Sequence, residues 1–157
     1  MARGGAAPHL SAMSDADPPL PGSLAALEGL DIAKGAYGGP RVARLSRTLR
    51  VPLDALAPSE VRFLLAERRA LGRVIPLALE RLAADPWLAA DGAPGDLLLT
   101  LLAAADHAWT PDAPWAAPLR ALLAHAHDAL AALPAPQRAP LADELAVAAD
   151  RFALPLA

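Results

Sequence analysis

The residue types best suited to chemistry in this chain are four histidines, scattered carboxylates and a few hydroxyls. The densest group is His125-Ala126-His127-Asp128. In an extended loop an HxH pair can hold a metal ion. Here it lies inside a helical repeat, where residues two apart point about 200° from each other. The two imidazoles therefore cannot converge on one ion, and at most His125 and Asp128 share a face as a hydrogen-bonded pair. No HExxH, GxxxxGK[ST] or GxSxG pattern occurs. Gly38-Gly39-Pro40 precedes a helix but has neither a strand before it nor a suitably placed lysine, so it reads as a linker and not as a phosphate cradle. Ser46 and Ser59 have no evident base nearby. His107, beside Trp109, is read as part of a bend packed on the core, with a solvent-facing contact as the alternative. The absence of cysteine excludes disulfides, thiolate zinc sites and a cysteine nucleophile. No catalytic residue, metal ligand or cofactor is expected, and the chain is not expected to be an enzyme.

What remains is charge. Glu60, Glu67, Glu80, Asp85, Asp91 and Asp96 form a scattered acidic set, read as helix-end and solvated acids or as groups that meet a basic protein. The net charge of −3 lacks the basic footprint of a general nucleic-acid binder. Arg41, Arg44, Arg47 and Arg50 recur every three residues and are read as a solvated helix face, with a basic binding face as the alternative. No nucleic-acid partner is expected. No run reaches the roughly 18 apolar residues that a membrane span needs. Leu97 to Ala105 is about half that length and is interrupted by Thr100. The first residues have no apolar core of a secretory signal, so none is read there, and no membrane partner is expected.

The elements that must position these groups are helical. Ala and Leu, the best helix formers, dominate a chain that is 55% hydrophobic but only 4% aromatic, while the β-branched and aromatic residues that strands favour are scarce. Gly, Pro, Ser and Asp mark residues 1–22 as a disordered arm, with Met13 as a possible alternative start. Ser23 is placed to cap a first short helix. After the Gly-rich link "KGAYGGP", Pro40 suits the first turn of a second helix, with Val42, Leu45 and Leu49 inward and an end near Pro52. Pro58-Ser59-Glu60 opens a third helix, which Gly72 is expected to end. A fourth, "RVIPLALERLAAD", holds Pro76 in its first turn and closes at Asp85-Pro86. Asp96 is expected to cap "LLLTLLAAA". A sixth helix spans about Trp115 to Leu133, with Leu119, Leu122, Leu123, Ala126, Leu130 and Leu133 at the helical period. After "PAPQRAP" the last helix turns Leu141, Leu145, Ala148 and Phe152 inward, and Asp143, Glu144, Asp150 and Arg151 outward. The prediction is one all-α domain over residues 23–157, a bundle of about seven short helices. Ile75, Leu79, Leu82, Leu98, Leu122 and Leu145 are expected in its core.

The order of "SLAALEGLD", "LSRTLRVPLDAL", "PSEVRFLLAERRALGRVIPLALERLAADP" and "DGAPGDLL" resembles the immunity proteins of bacterial contact-dependent growth inhibition systems. The resemblance covers roughly Ser23 to Leu102. Beyond that the tail is similar only in being helical. The sequence departs from the family pattern at Ile32, Gly92 and Ala93, where aromatics are common. It departs also at Ala57, in the place of a capping Thr or Ser, and at Glu67, in the place of Gln. The resemblance implies a cytoplasmic protein that binds the C-terminal toxin domain delivered by a neighbouring cell, and neutralises it without catalysis. Such toxin domains are often basic nucleases, so the implied inhibition is steric and electrostatic. A small α-helical adaptor or regulator without a toxin partner is the alternative reading.

The apolar pieces of the motif must be inside to fold the chain, so binding must use what stays outside. "ADPWLAADG" sets Asp85, Trp87 and Asp91 together between two helices, and these are the expected partner-binding residues. A tryptophan flanked by acids suits an interface anchor. The alternative is that Trp87 closes the core beneath the loop. A monomer is expected.

Overall fold

The computed structural model describes residues 20–29 and 38–152. These residues are all-α, as predicted, with seven α-helices and two 3-10 turns; among the described residues there is no strand, and one isolated antiparallel bridge joins Ser23 to Pro52. The expected arm lies outside the described residues as far as residue 19, as do Met13, Ile32 and the first part of the Gly-rich link. The chain divides into two compact units, Met1–Leu56 and Ala57–Ala157, and each is taken by itself.

In the first unit, α1 (Leu24–Leu27) starts at Ser23, whose hydroxyl accepts the Ala26 N–H at 3.2 Å. That is the predicted cap. Leu20 to Gly22, expected within the arm, are instead tied to the chain. The Leu20 N–H donates to the Arg50 carbonyl at 3.3 Å, and the Leu53 N–H donates to the Gly22 carbonyl at 3.1 Å. Helix α2 (Gly39–Leu49) carries Pro40 in its first turn and stops before Pro52. Its buried face differs from the predicted stripe. Leu49 is buried as predicted and Leu45 half-buried, but Val42 is 43% exposed and Ser46 and Thr48 are buried instead. Thr48 goes inside cheaply because its hydroxyl donates to the Arg44 carbonyl at 2.8 Å, a bond the helix itself supplies. Arg41, Arg44 and Arg47 are exposed, and Arg50 is buried at the helix end.

The second unit contains α3 (Pro58–Ala66), α4 (Leu71–Ala84), α5 (Asp96–His107), α6 (Ala116–Asp128) and α7 (Ala135–Arg151). Helix α3 packs on α4 and α5, α4 on α5 and α6, and α7 on α5 and α6. All six predicted core residues are buried. So is the whole predicted stripe of α6, although its last turn tightens to a 3-10 turn over Ala129–Ala132. Helix α7 shows the predicted inward and outward faces, but it begins at Ala135 and runs through Pro140. Pro140 has no N–H for the carbonyl of Pro136. Both prolines are exposed, where water can take that carbonyl.

At the start of α3, Ala57 has the extended backbone of a capping residue but no side-chain oxygen. Half of the reciprocal capping pair survives, with the Glu60 carboxylate accepting the Ala57 N–H at 2.8 Å. The end of α3 corrects an expectation. Gly72 does not terminate it and lies instead in the first turn of α4. The reversal is made by Arg68 and Ala70, both in the left-handed region at φ 53° and 48°. The Arg69 N–H donates to the Leu64 carbonyl and the Arg68 N–H to the Leu65 carbonyl, each at 3.0 Å. This is the paired bonding that ends many helices, with arginine where glycine is usual. Because α4 therefore starts at Leu71, Pro76 is its sixth residue and not in the first turn.

Between α5 and α6, Trp109 sits edge-on to Trp115 and Phe152, with ring centroids 5.7 and 4.7 Å away. The Arg120 guanidinium lies 5.3 Å from its centroid, and its Nε donates to the Phe152 carbonyl at 3.2 Å. Arg151 pairs with Asp106 alongside. The bend is thus an aromatic clasp, and the neighbouring His107 is exposed.

Candidate functional site

The α4–α5 loop, residues 85–95, carries all three predicted partner-binding residues. Asp85 ends α4 in an extended conformation and is exposed. Its Oδ1 accepts the Trp87 N–H at 3.0 Å, which turns the chain into the loop. Trp87 itself is buried, at 7% exposure. Its carbonyl accepts the Gly95 N–H at 3.1 Å, closing the base of the loop. Gly95 is required there on two counts. Its φ is +82°, and a Cβ would stand 3.1 Å from the Trp87 ring and 3.2 Å from Leu141. Asp85 and Asp91 are thus brought to the surface of one loop, and the Trp87 ring lies under it.

Asp96 corrects a second expectation. The capping position of α5 is Gly95, and Asp96 is the first helical residue. Its carboxylate reaches back into the loop, where Oδ1 accepts the Ala90 N–H at 2.7 Å and Oδ2 the Asp91 N–H at 2.8 Å. The left-handed turn at Gly95 is what points it there. Partial burial pushes the Asp96 pKa up. The backbone N–H groups of Ala90, Asp91, Ala93 and Leu97 outweigh that and leave it below the ordinary aspartate value.

Asp91 is held a second time, by Arg62 of α3. Arg62 Nη1 lies 2.7 Å from Asp91 Oδ2, and Arg62 Nε donates to Thr100 Oγ1 at 3.1 Å. The Thr100 hydroxyl in turn donates to the Asp96 carbonyl at 2.8 Å. Sequence reading missed Arg62 and Thr100, since the pairs span 29 and 38 residues and no local pattern signals them. The local hints are an arginine breaking the apolar run "EVRFLL" and the threonine interrupting "LLLTLLAAA".

A second surface feature lies between α4 and α6. It is a groove of about 620 Å³ lined by Pro76, Leu79 and Ala83 on one side and Trp115, Pro118, Ala121 and Leu122 on the other, with Glu80 and His125 its ionisable residues. His125 is exposed and His127 is half-buried, on the same helix. Among the described residues no three His, Cys, Asp or Glu come together as metal ligands. No helix among them is long and apolar enough to cross a membrane.

Fold and loop together define a helical protein in which side chains of α3 and α5 hold a surface loop in shape. A sequence model of the CDI (contact-dependent growth inhibition) immunity proteins matches residues 31–116, more than half of the chain, and the chain belongs to that family. The match runs from before α2 to the first residue of α6, so it includes the whole loop together with Arg62 and Thr100. No curated protein and no solved structure matches the chain.

Proposed function

We propose that this protein is the cytoplasmic antidote to the toxin of a CDI system. It binds the C-terminal toxin domain, a nuclease, and blocks it by steric and electrostatic occlusion, with no reaction of its own. The observation that carries this reading is the family match across α2 to α5. The charge of the second unit supports the electrostatic part. Residues 57–157 hold twelve Asp and Glu against eight Arg and no Lys, a surplus that attracts a basic partner. The toxin-facing surface is the 85–91 loop. Asp85 and Asp91 meet arginine or lysine of the toxin, and Trp87 supports them from beneath.

The test is a titration of the purified protein with the toxin domain encoded beside it, at two salt concentrations, read by binding and by residual nuclease activity. A stoichiometric complex that silences the toxin is expected. Asp85→Asn/Asp91→Asn should weaken it by roughly a hundredfold and flatten its salt dependence. If wild type does not bind, the antidote reading falls. If the double variant binds like wild type at both salt concentrations, the loop is not the surface.

A further inference from the structure

We infer that Arg62, which lies on another helix and outside the loop, is the positioning residue for toxin binding: it fixes Asp91 so that one carboxylate oxygen is held by the protein and the other is offered to a cation of the partner. The inference rests on the loop reading above.

An aspartate on a surface loop ordinarily samples several rotamers, and binding must then freeze one. Asp91 is already constrained at both ends. Its backbone N–H is gripped by Asp96 Oδ2 at 2.8 Å. Its side-chain Oδ2 is gripped by Arg62 Nη1 at 2.7 Å. Its Oδ1 has no hydrogen-bond partner among the described residues, and the side chain is 43% exposed, so a partner's guanidinium or ammonium can reach it. Arg62 is a firm holder because it is itself held: its Nε is bonded to Thr100, which is bonded to the backbone of α5. Only a planar fork makes both bonds in fixed directions, which an ammonium does not.

The pair contributes little to folding. Its members are 39% and 43% exposed, and exposed ion pairs add little to stability. A merely structural role and a positioning role therefore separate in experiment. The measurement is toxin affinity with thermal melting for wild type, Arg62→Gln, Arg62→Lys, Thr100→Val, Asp91→Asn and the double variant Arg62→Gln/Asp91→Asn. Arg62→Gln and Asp91→Asn should each weaken binding by roughly tenfold, with melting nearly unchanged, and the double variant should be no weaker than Asp91→Asn alone. Arg62→Lys should not restore the loss. Thr100→Val, which frees Arg62 from α5 without touching the loop, should lose several-fold, and it serves as the test should Arg62→Gln fail to fold. Losses that multiply in the double variant, or an Arg62→Gln or Thr100→Val protein that binds like wild type while Asp91→Asn is impaired, overturn the inference and leave the loop reading standing. An unimpaired Asp91→Asn overturns the role of Asp91 and this inference with it.

Discussion

Helix α4 borders two surfaces of opposite construction. At its C-terminal end the 85–95 loop is shaped by hydrogen bonds, with contacts arriving from α3 and α5. Along its side the groove against α6 is apolar and owes nothing to hydrogen bonds. It exists because Ala83, Ala121, Pro76 and Pro118 are too short to fill the space between two helices whose buried residues, Leu79 and Leu122, set their spacing. The difference shows what each kind of surface asks of a sequence. A polar loop needs particular partners at particular distances, and the loss of one leaves a group unpaired. A groove needs only small side chains over a packed floor, and it tolerates exchange as long as the floor stays.

The largest expected effect probes that floor. Leu79→Ala should cost about 2–5 kcal/mol through lost burial and the cavity left behind. A urea titration giving less than about 1 kcal/mol would detach the groove from the core and remove one side of the contrast. Next comes the base of the loop. Gly95→Ala puts a Cβ against Trp87 and Leu141 at a positive φ, and should cost roughly 2–3 kcal/mol. A nearly neutral substitution would mean that the loop is not rigidly seated on Trp87.

The third prediction concerns pH. The folded pKa of Asp96 lies below its unfolded value. Its contribution is therefore full above the ordinary aspartate range and is lost as pH falls through the lowered folded pKa. Asp96→Asn should be less stable than wild type by about 1 kcal/mol at neutral pH, with the two proteins converging in strong acid. A stability gap that does not change with pH would show that the carboxylate's charge is not what holds Ala90 and Asp91. The smallest effect expected is the sharpest on the contrast itself. Ala121→Arg, on the exposed rim of the groove, should shift stability by no more than about 0.5 kcal/mol and leave toxin affinity intact. If it abolishes binding while the Asp85→Asn/Asp91→Asn protein still binds, the two surfaces exchange roles.

The contrast also explains what could be read from the sequence. Apolar periodicity identified the helices and the buried faces of α4, α6 and α7, because a helix face is a local property. It failed in part on α2, where Leu49 is buried as expected but Val42 is exposed and Thr48 is buried, since period alone does not say which face will be covered. Glycine and proline misled when taken as punctuation. Gly72 sits inside a helix, Pro76 and Pro140 lie beyond the first turn of theirs, and Arg68 and Ala70 make the turn that glycine was expected to make. At the candidate site the loop and its acids were legible, as was the alternative that Trp87 lies under the loop. Arg62, Thr100 and the backward reach of Asp96 were not, because each depends on which helices become neighbours.

That dependence fixes when the loop can take shape. Its holders come from residues 62, 96 and 100, so the closures at Asp91 and Thr100 bridge 29 and 38 residues and must wait until α3 and α5 have docked. The loop is therefore expected to form after the helices. Asp96→Asn, expected to be about 1 kcal/mol less stable than the parent, should then leave the refolding rate near that of the parent and appear in the unfolding rate. Stopped-flow refolding of Asp96→Asn measures this directly, and a slowed refolding limb would place the loop in the nucleus instead. A fragment lacking α3 would therefore lack Arg62 and with it the holder of Asp91.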